Sequence, residues 1–151
     1  MAELFLADVS ATLAAGAALA PLLRAGDVVT LSGPLGAGKT SFARGVLGAL
    51  GLEDEAPSPS FAIVIAYEPP DVTLPLWHVD LYRLADPQEA LELGLEDALH
   101  TSALLIEWPE HGAGRWADAL ALRFAASGDG RRLTWEAGAA WADRWPPAPL
   151  R

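Results

Sequence analysis

Asp27-Val28-Val29-Thr30-Leu31-Ser32-Gly33-Pro34-Leu35-Gly36-Ala37-Gly38-Lys39-Thr40 decides the fold. Residues 27–31 are β-branched and apolar enough for a buried strand. Residues 39–50 read as a helix that stops at Gly51. Between them, Gly33–Thr40 fits G-x-x-x-x-G-K-[ST], and strand, glycine-rich loop and helix is the setting that pattern requires. Glycines let backbone N–H groups converge on phosphates, and the helix N-terminus adds partial positive charge. Lys39 is the only lysine of the chain; every other basic residue is one of nine arginines. A compact ammonium suits the phosphate position where a planar guanidinium does not.

Outward from this loop, residues 3–6 suggest a short opening strand. Residues 10–23 suggest a helix, with Ser10 as its cap and Pro21 near its end. Residues 53–59 are acidic and proline-containing, hence loop. Residues 61–67 and 74–79 read as strands that can pair as a hairpin. Asp86-Pro87-Gln88-Glu89 is a helix start, with Asp as cap and Glu at the third position. That helix should end near Gly94, before a second short one over 95–100. Residues 103–106 form a buried strand ending at Glu107. A terminal hairpin is expected over 119–137, around Gly128-Asp129-Gly130. The tail over 141–151, with Pro146, Pro147 and Pro149, is expected to fray.

The whole chain, residues 1–151, reads as one domain with 52% hydrophobic residues, ample for a core. It has no cysteine, which excludes a disulfide framework and fits a cytoplasmic setting. No apolar run suits a membrane helix. The net charge of −10 argues against strong direct binding of nucleic acid. Leu76-Trp77-His78-Val79-Asp80 and Leu104-Leu105-Ile106-Glu107 are apolar strands ending in carboxylates. Either acid can hold Mg²⁺ or orient the attacking water, and the choice between them stays open. The chain contains no asparagine, so the Asn-Lys-x-Asp guanine reader is absent and ATP is expected over GTP.

Four segments in order carry a resemblance: Gly33–Thr40, Ser58-Pro59-Ser60-Phe61, His78-Val79-Asp80-Leu81-Tyr82-Arg83 and Ile106-Glu107-Trp108-Pro109-Glu110. Together they resemble the TsaE (YjeE) family of small bacterial ATPases. The resemblance implies an α/β P-loop NTPase-like fold of three layers, with a central mixed sheet flanked by helices. It implies slow ATP hydrolysis with Mg²⁺. It also implies partnership with TsaD and TsaB in forming threonylcarbamoyladenosine at position 37 of tRNA, the tRNA being met through the complex.

By this resemblance Lys39, Asp80 and Glu107 are the catalytic residues, and Thr40 and Glu107 hold the metal. The nucleotide contacts are Thr12, Gly33, Leu35, Gly36, Ala37, Gly38, Lys39, Thr40, Ser41 and Trp108. Thr12 also suits local helix packing, and Trp108 also suits an aromatic anchor. Residues 58–61 correspond to a switch-like loop in which Ser60 replaces the family's Thr. His78 is expected to support the site rather than bind metal, and His100 and His111 are read as surface. The remaining tryptophans 116, 135, 141 and 145 are read as core or anchors. Two other functions stay open: a small-molecule kinase, and a nucleotide-dependent binding module without meaningful catalysis.

Overall fold

A computed structural model of the chain describes residues 3–59, 62–112, 116 and 118–150. Seven strands form one sheet: β1 (Glu3–Leu6), β2 (Val28–Ser32), β3 (Val64–Tyr67), β4 (Leu76–Asp80), β5 (Ala103–Glu107), β6 (Leu120–Ser127) and β7 (Gly130–Ala137). Their spatial order is β1-β7-β6-β2-β5-β4-β3. The centre is parallel, β6 with β2, β2 with β5 and β5 with β4. The edges are antiparallel, through the expected hairpins β3–β4 and β6–β7 and through β1 on β7.

β5 is buried along its whole length, as a central parallel strand covered on both faces should be. Ala103 and Leu105 point into the larger core, while Leu104 and Ile106 point into a smaller one on the opposite face. That alternation is the period of two. The larger core lies under α1 (Val9–Leu19) and α2 (Lys39–Ala49). The smaller lies under α3 (Leu95–Ala98) and its neighbours. The expected three-layer mixed α/β architecture is therefore present.

The buried side of α1 is Thr12, Ala15, Gly16 and Leu19, a stripe at helical spacing. Two glycines let α1 and α2 cross closely. A Cβ on Gly16 would overlap the Phe42 carbonyl oxygen, and one on Gly45 would overlap that of Leu13. This crossing sets Thr12 beside the phosphate loop.

Local readings hold with four corrections. The strand expected over 61–67 is extended only from Val64 to Tyr67, residues 62 and 63 forming a turn in which Ile63 has φ 67°. Asp8, not Ser10, caps α1, its Oδ1 accepting the Ala11 N–H at 2.8 Å. The capping box at Asp86 and Glu89 forms as expected, but the turn it starts, Pro87–Leu93, is 3₁₀ rather than α. The last correction concerns the tail, expected to fray. Trp141 is fully buried and Trp145 nearly so, and Trp145 meets Trp135 edge to face at 5.6 Å. Apolar burial of two indoles outweighs the local preference of three prolines for open chain. Arg144 then clasps Asp27 at the start of β2, with two bonds of 2.8 Å.

Candidate nucleotide site

β2 ends at Ser32, and the chain turns at once through Gly33, whose φ is 138° and whose missing Cβ admits the Phe124 carbonyl. Gly38, at φ 107°, sits directly before α2. Both conformations belong to glycine. They aim the loop amides and the N-terminus of α2 into a cleft of about 570 Å³. Thr12, Leu35, Gly36, Gly38, Lys39, Thr40, Ser41, Ser58, Asp80, Glu107, Trp108 and Arg131 are among its lining residues. Of the sequence-derived site residues, Gly33 and Ala37 are not in the lining. They shape the loop behind it.

Lys39 is buried, its ammonium bonded to the Gly33 carbonyl and lying 3.6 Å from the centroid of the Trp108 ring. Burial pushes its pKa below the usual lysine value, against the attraction of Glu107, Glu110 and Asp80. A phosphate arriving in the cleft would add a further negative charge beside this ammonium.

The two strand-end carboxylates lie side by side because β4 and β5 are parallel and in register, Asp80 opposite Glu107. Strand carboxyl ends beside the loop are where ligands of open α/β sheets gather. Glu107 Oε1 and Oε2 lie 3.4 and 3.5 Å from the Thr40 hydroxyl. Asp80 Oδ1 accepts the Tyr82 N–H at 2.9 Å.

Among the described residues no cluster of three or more His, Cys, Asp or Glu could hold a metal alone. Mg²⁺ takes one or two hard protein oxygens and completes its shell with phosphates and water. The Thr40 hydroxyl and the Glu107 carboxylate could supply such oxygens.

Trp108 has φ 58°, a left-handed conformation unusual for a bulky residue. Tyr82 packs edge to face on it at 4.8 Å, and His111 lies 5.7 Å away. His111, read from sequence as surface, is half-buried, with Nδ1 3.1–3.2 Å from the Leu81 and Tyr82 carbonyls. Its partners stand about thirty residues back in the chain, so no local signal marked it. His100 is exposed as expected. Thr12 bonds the Asp8 carbonyl at 3.3 Å and also lines the cleft.

The sequence places Arg131 in the terminal hairpin and gives it no part in the site. From β7 it donates to the Gly36 carbonyl at 2.9 Å, 95 residues away in sequence, and so adds a second cation to the cleft. In the switch-like loop Ser58 lines the cleft, whereas Ser60 and Phe61 lie outside the described residues.

The family model described as threonylcarbamoyl adenosine biosynthesis protein TsaE matches residues 6–133. The chain belongs to the TsaE family. A TsaE relative from Nostoc sp., named tRNA threonylcarbamoyladenosine biosynthesis protein, is 40% identical over 115 residues, 73% of this chain and 69% of its own. The protein of that name from Treponema pallidum is 35% identical over 123 residues, 79% and 88% of the two chains. The crystal structure of Bacillus subtilis YdiB matches with a TM-score of 0.78 at 30% identity, across 93% of this chain and 88% of that one. TsaE membership and this likeness make the chain a P-loop ATPase-type protein with a P-loop NTPase-like fold. No helix among the described residues is long and apolar enough to cross a membrane.

Proposed function

We propose that this chain binds ATP with Mg²⁺ and hydrolyses it slowly. In this reading it drives threonylcarbamoyladenosine formation at position 37 of tRNAs that read codons starting with A. It does so with TsaD and TsaB in the cytoplasm. One observation carries the reading: Lys39, Thr40, Asp80 and Glu107 converge on a single cleft at the head of α2.

In this proposal the loop amides and Lys39 hold the β- and γ-phosphates, and Arg131 covers them from β7. Thr40 and Glu107 hold Mg²⁺, which neutralises charge on the phosphate oxygens when bound. Asp80 accepts a hydrogen bond from the attacking water and aligns it. Tyr82 and His111 keep Trp108 against the site. The negative chain leaves the holding of tRNA to its partners.

The test is ATP turnover by the purified protein, alone and then with TsaD, TsaB and substrate tRNA, with modified adenosine followed in parallel. Low basal turnover that rises with the complex is expected, and Lys39→Ala should cut it by about 10²-fold or more. Modification that proceeds equally well without this protein would sink the proposal. Faster transfer of the γ-phosphate to a metabolite than to water would replace it with a kinase.

A further inference from the structure

His78 precedes Asp80 by two residues on β4, and its side chain is completely buried. It stands opposite Leu105 in the parallel pair, so it reaches Glu107 diagonally across the strands. Its Nε2 lies 2.7 Å from Glu107 Oε2. Glu107 is buried too, and both of its oxygens lie close to the Thr40 hydroxyl, at 3.4 and 3.5 Å. An ionised carboxylate only accepts hydrogen bonds, so Nε2 carries the proton in this contact.

The remaining ring nitrogen, Nδ1, is buried with no hydrogen-bond partner among the described residues. An orphaned buried nitrogen opposes folding, and an apolar side chain of similar volume would fill the space without that cost. What the imidazole supplies that an apolar residue cannot is the bond to Glu107. A second force bears on that carboxylate, since Glu107 ranks first among the acids acting on the nearby Lys39 ammonium. A glutamate free to rotate would swing toward Lys39 and compete with phosphate for it.

We infer that His78 is the positioning residue of Glu107: its Nε2–H clamps Oε2 and so holds the carboxylate beside Thr40 in the orientation that faces the metal. Ligating carboxylates are commonly oriented by such outer hydrogen bonds. The inference rests on the reading of Thr40 and Glu107 as the metal pair. Its test therefore measures metal retention apart from turnover.

The probe is Mn²⁺ with excess ADP and the full chain, free Mn²⁺ being read by electron paramagnetic resonance. ADP affinity without metal and the melting temperature are measured alongside. His78→Leu should weaken Mn²⁺ retention by about 10- to 100-fold with metal-free ADP affinity unchanged. His78→Gln, which returns a donor near the Nε2 position, should recover most of it. Full retention in His78→Leu overturns the inference. Equal loss in both variants does so as well, because it assigns His78 to packing. No retention by the unmutated protein removes the metal pair itself, which is a failure of the reading beneath. Should His78→Leu not fold, ¹⁵N resonances of the unmutated imidazole decide: a proton on Nε2 is expected, and an Nε2 without one refutes the clamp.

Discussion

Arg144→Ala should destabilise the protein strongly although the residue lies in a proline-rich tail. The Arg144 guanidinium bonds both Asp27 oxygens at 2.8 Å and the Leu22 carbonyl at 2.6 Å. It also lies 3.9 Å from the Trp141 ring. The two charged side chains are only 11% and 9% exposed. The bonded carboxylate pushes the Arg144 pKa above its usual value, partly against burial, so the guanidinium stays charged. Removing one partner of a buried ion pair costs about 3–5 kcal/mol, because the other charge stays buried. Asp27 keeps the Arg24 N–H at 2.7 Å, which places the expected loss near the lower end, about 3 kcal/mol. A double-mutant cycle with Asp27→Ala should return a coupling of about 2 kcal/mol. Urea unfolding at constant m reads both values. A loss under about 0.5 kcal/mol, the range of surface substitutions, would refute the clasp and the packed tail with it. Nucleotide affinity should not change, since neither residue lines the cleft.

Arg131→Ala removes the cation bonded to the Gly36 carbonyl and should weaken ATP binding by about 1.5–3 kcal/mol in calorimetry. Unchanged affinity would confine Arg131 to bracing the loop. Gly16→Ala and Gly45→Ala each force a Cβ against a backbone oxygen and should cost about 1–3 kcal/mol in chemical denaturation. Gly48→Ala, on the same helix with open space around it, should instead stabilise by about 0.5–1 kcal/mol. The Tyr67 hydroxyl is buried without a partner, so Tyr67→Phe should be neutral or stabilising by up to about 1 kcal/mol at pH 7. Burial also pushes the Tyr67 pKa above 10.0, with Arg44 opposing. Below pH 10 both states keep the proton and ionisation adds nothing to stability; above it the unfolded chain ionises first and stability falls. Tyr67→Phe should therefore flatten the alkaline limb of the stability curve.

Amino-acid sequence alone determined the parts whose physics is local. Gly33–Thr40 specifies its own loop, because positive φ and the start of α2 follow from glycine spacing within eight residues. The capping box at Asp86 and the hairpin turn at Gly128-Asp129 are equally self-contained. Apolar strands ending in Asp80 and Glu107 were legible as acids at strand ends, but their being neighbours was not. That depends on β4 and β5 pairing in register across a helical crossover. The same holds for His78 against Glu107, for His111 against Trp108, and for Arg131 against a carbonyl 95 residues away. A contact at such separation leaves no period or motif in the chain. The tail shows the conflict most sharply. Its prolines argue for open chain residue by residue, yet Trp141, Trp145 and the Arg144–Asp27 pair find their partners only once the sheet and α1 have built the surface that buries them. Loop chemistry is written in neighbouring residues, whereas burial is decided by the surface that distant residues assemble.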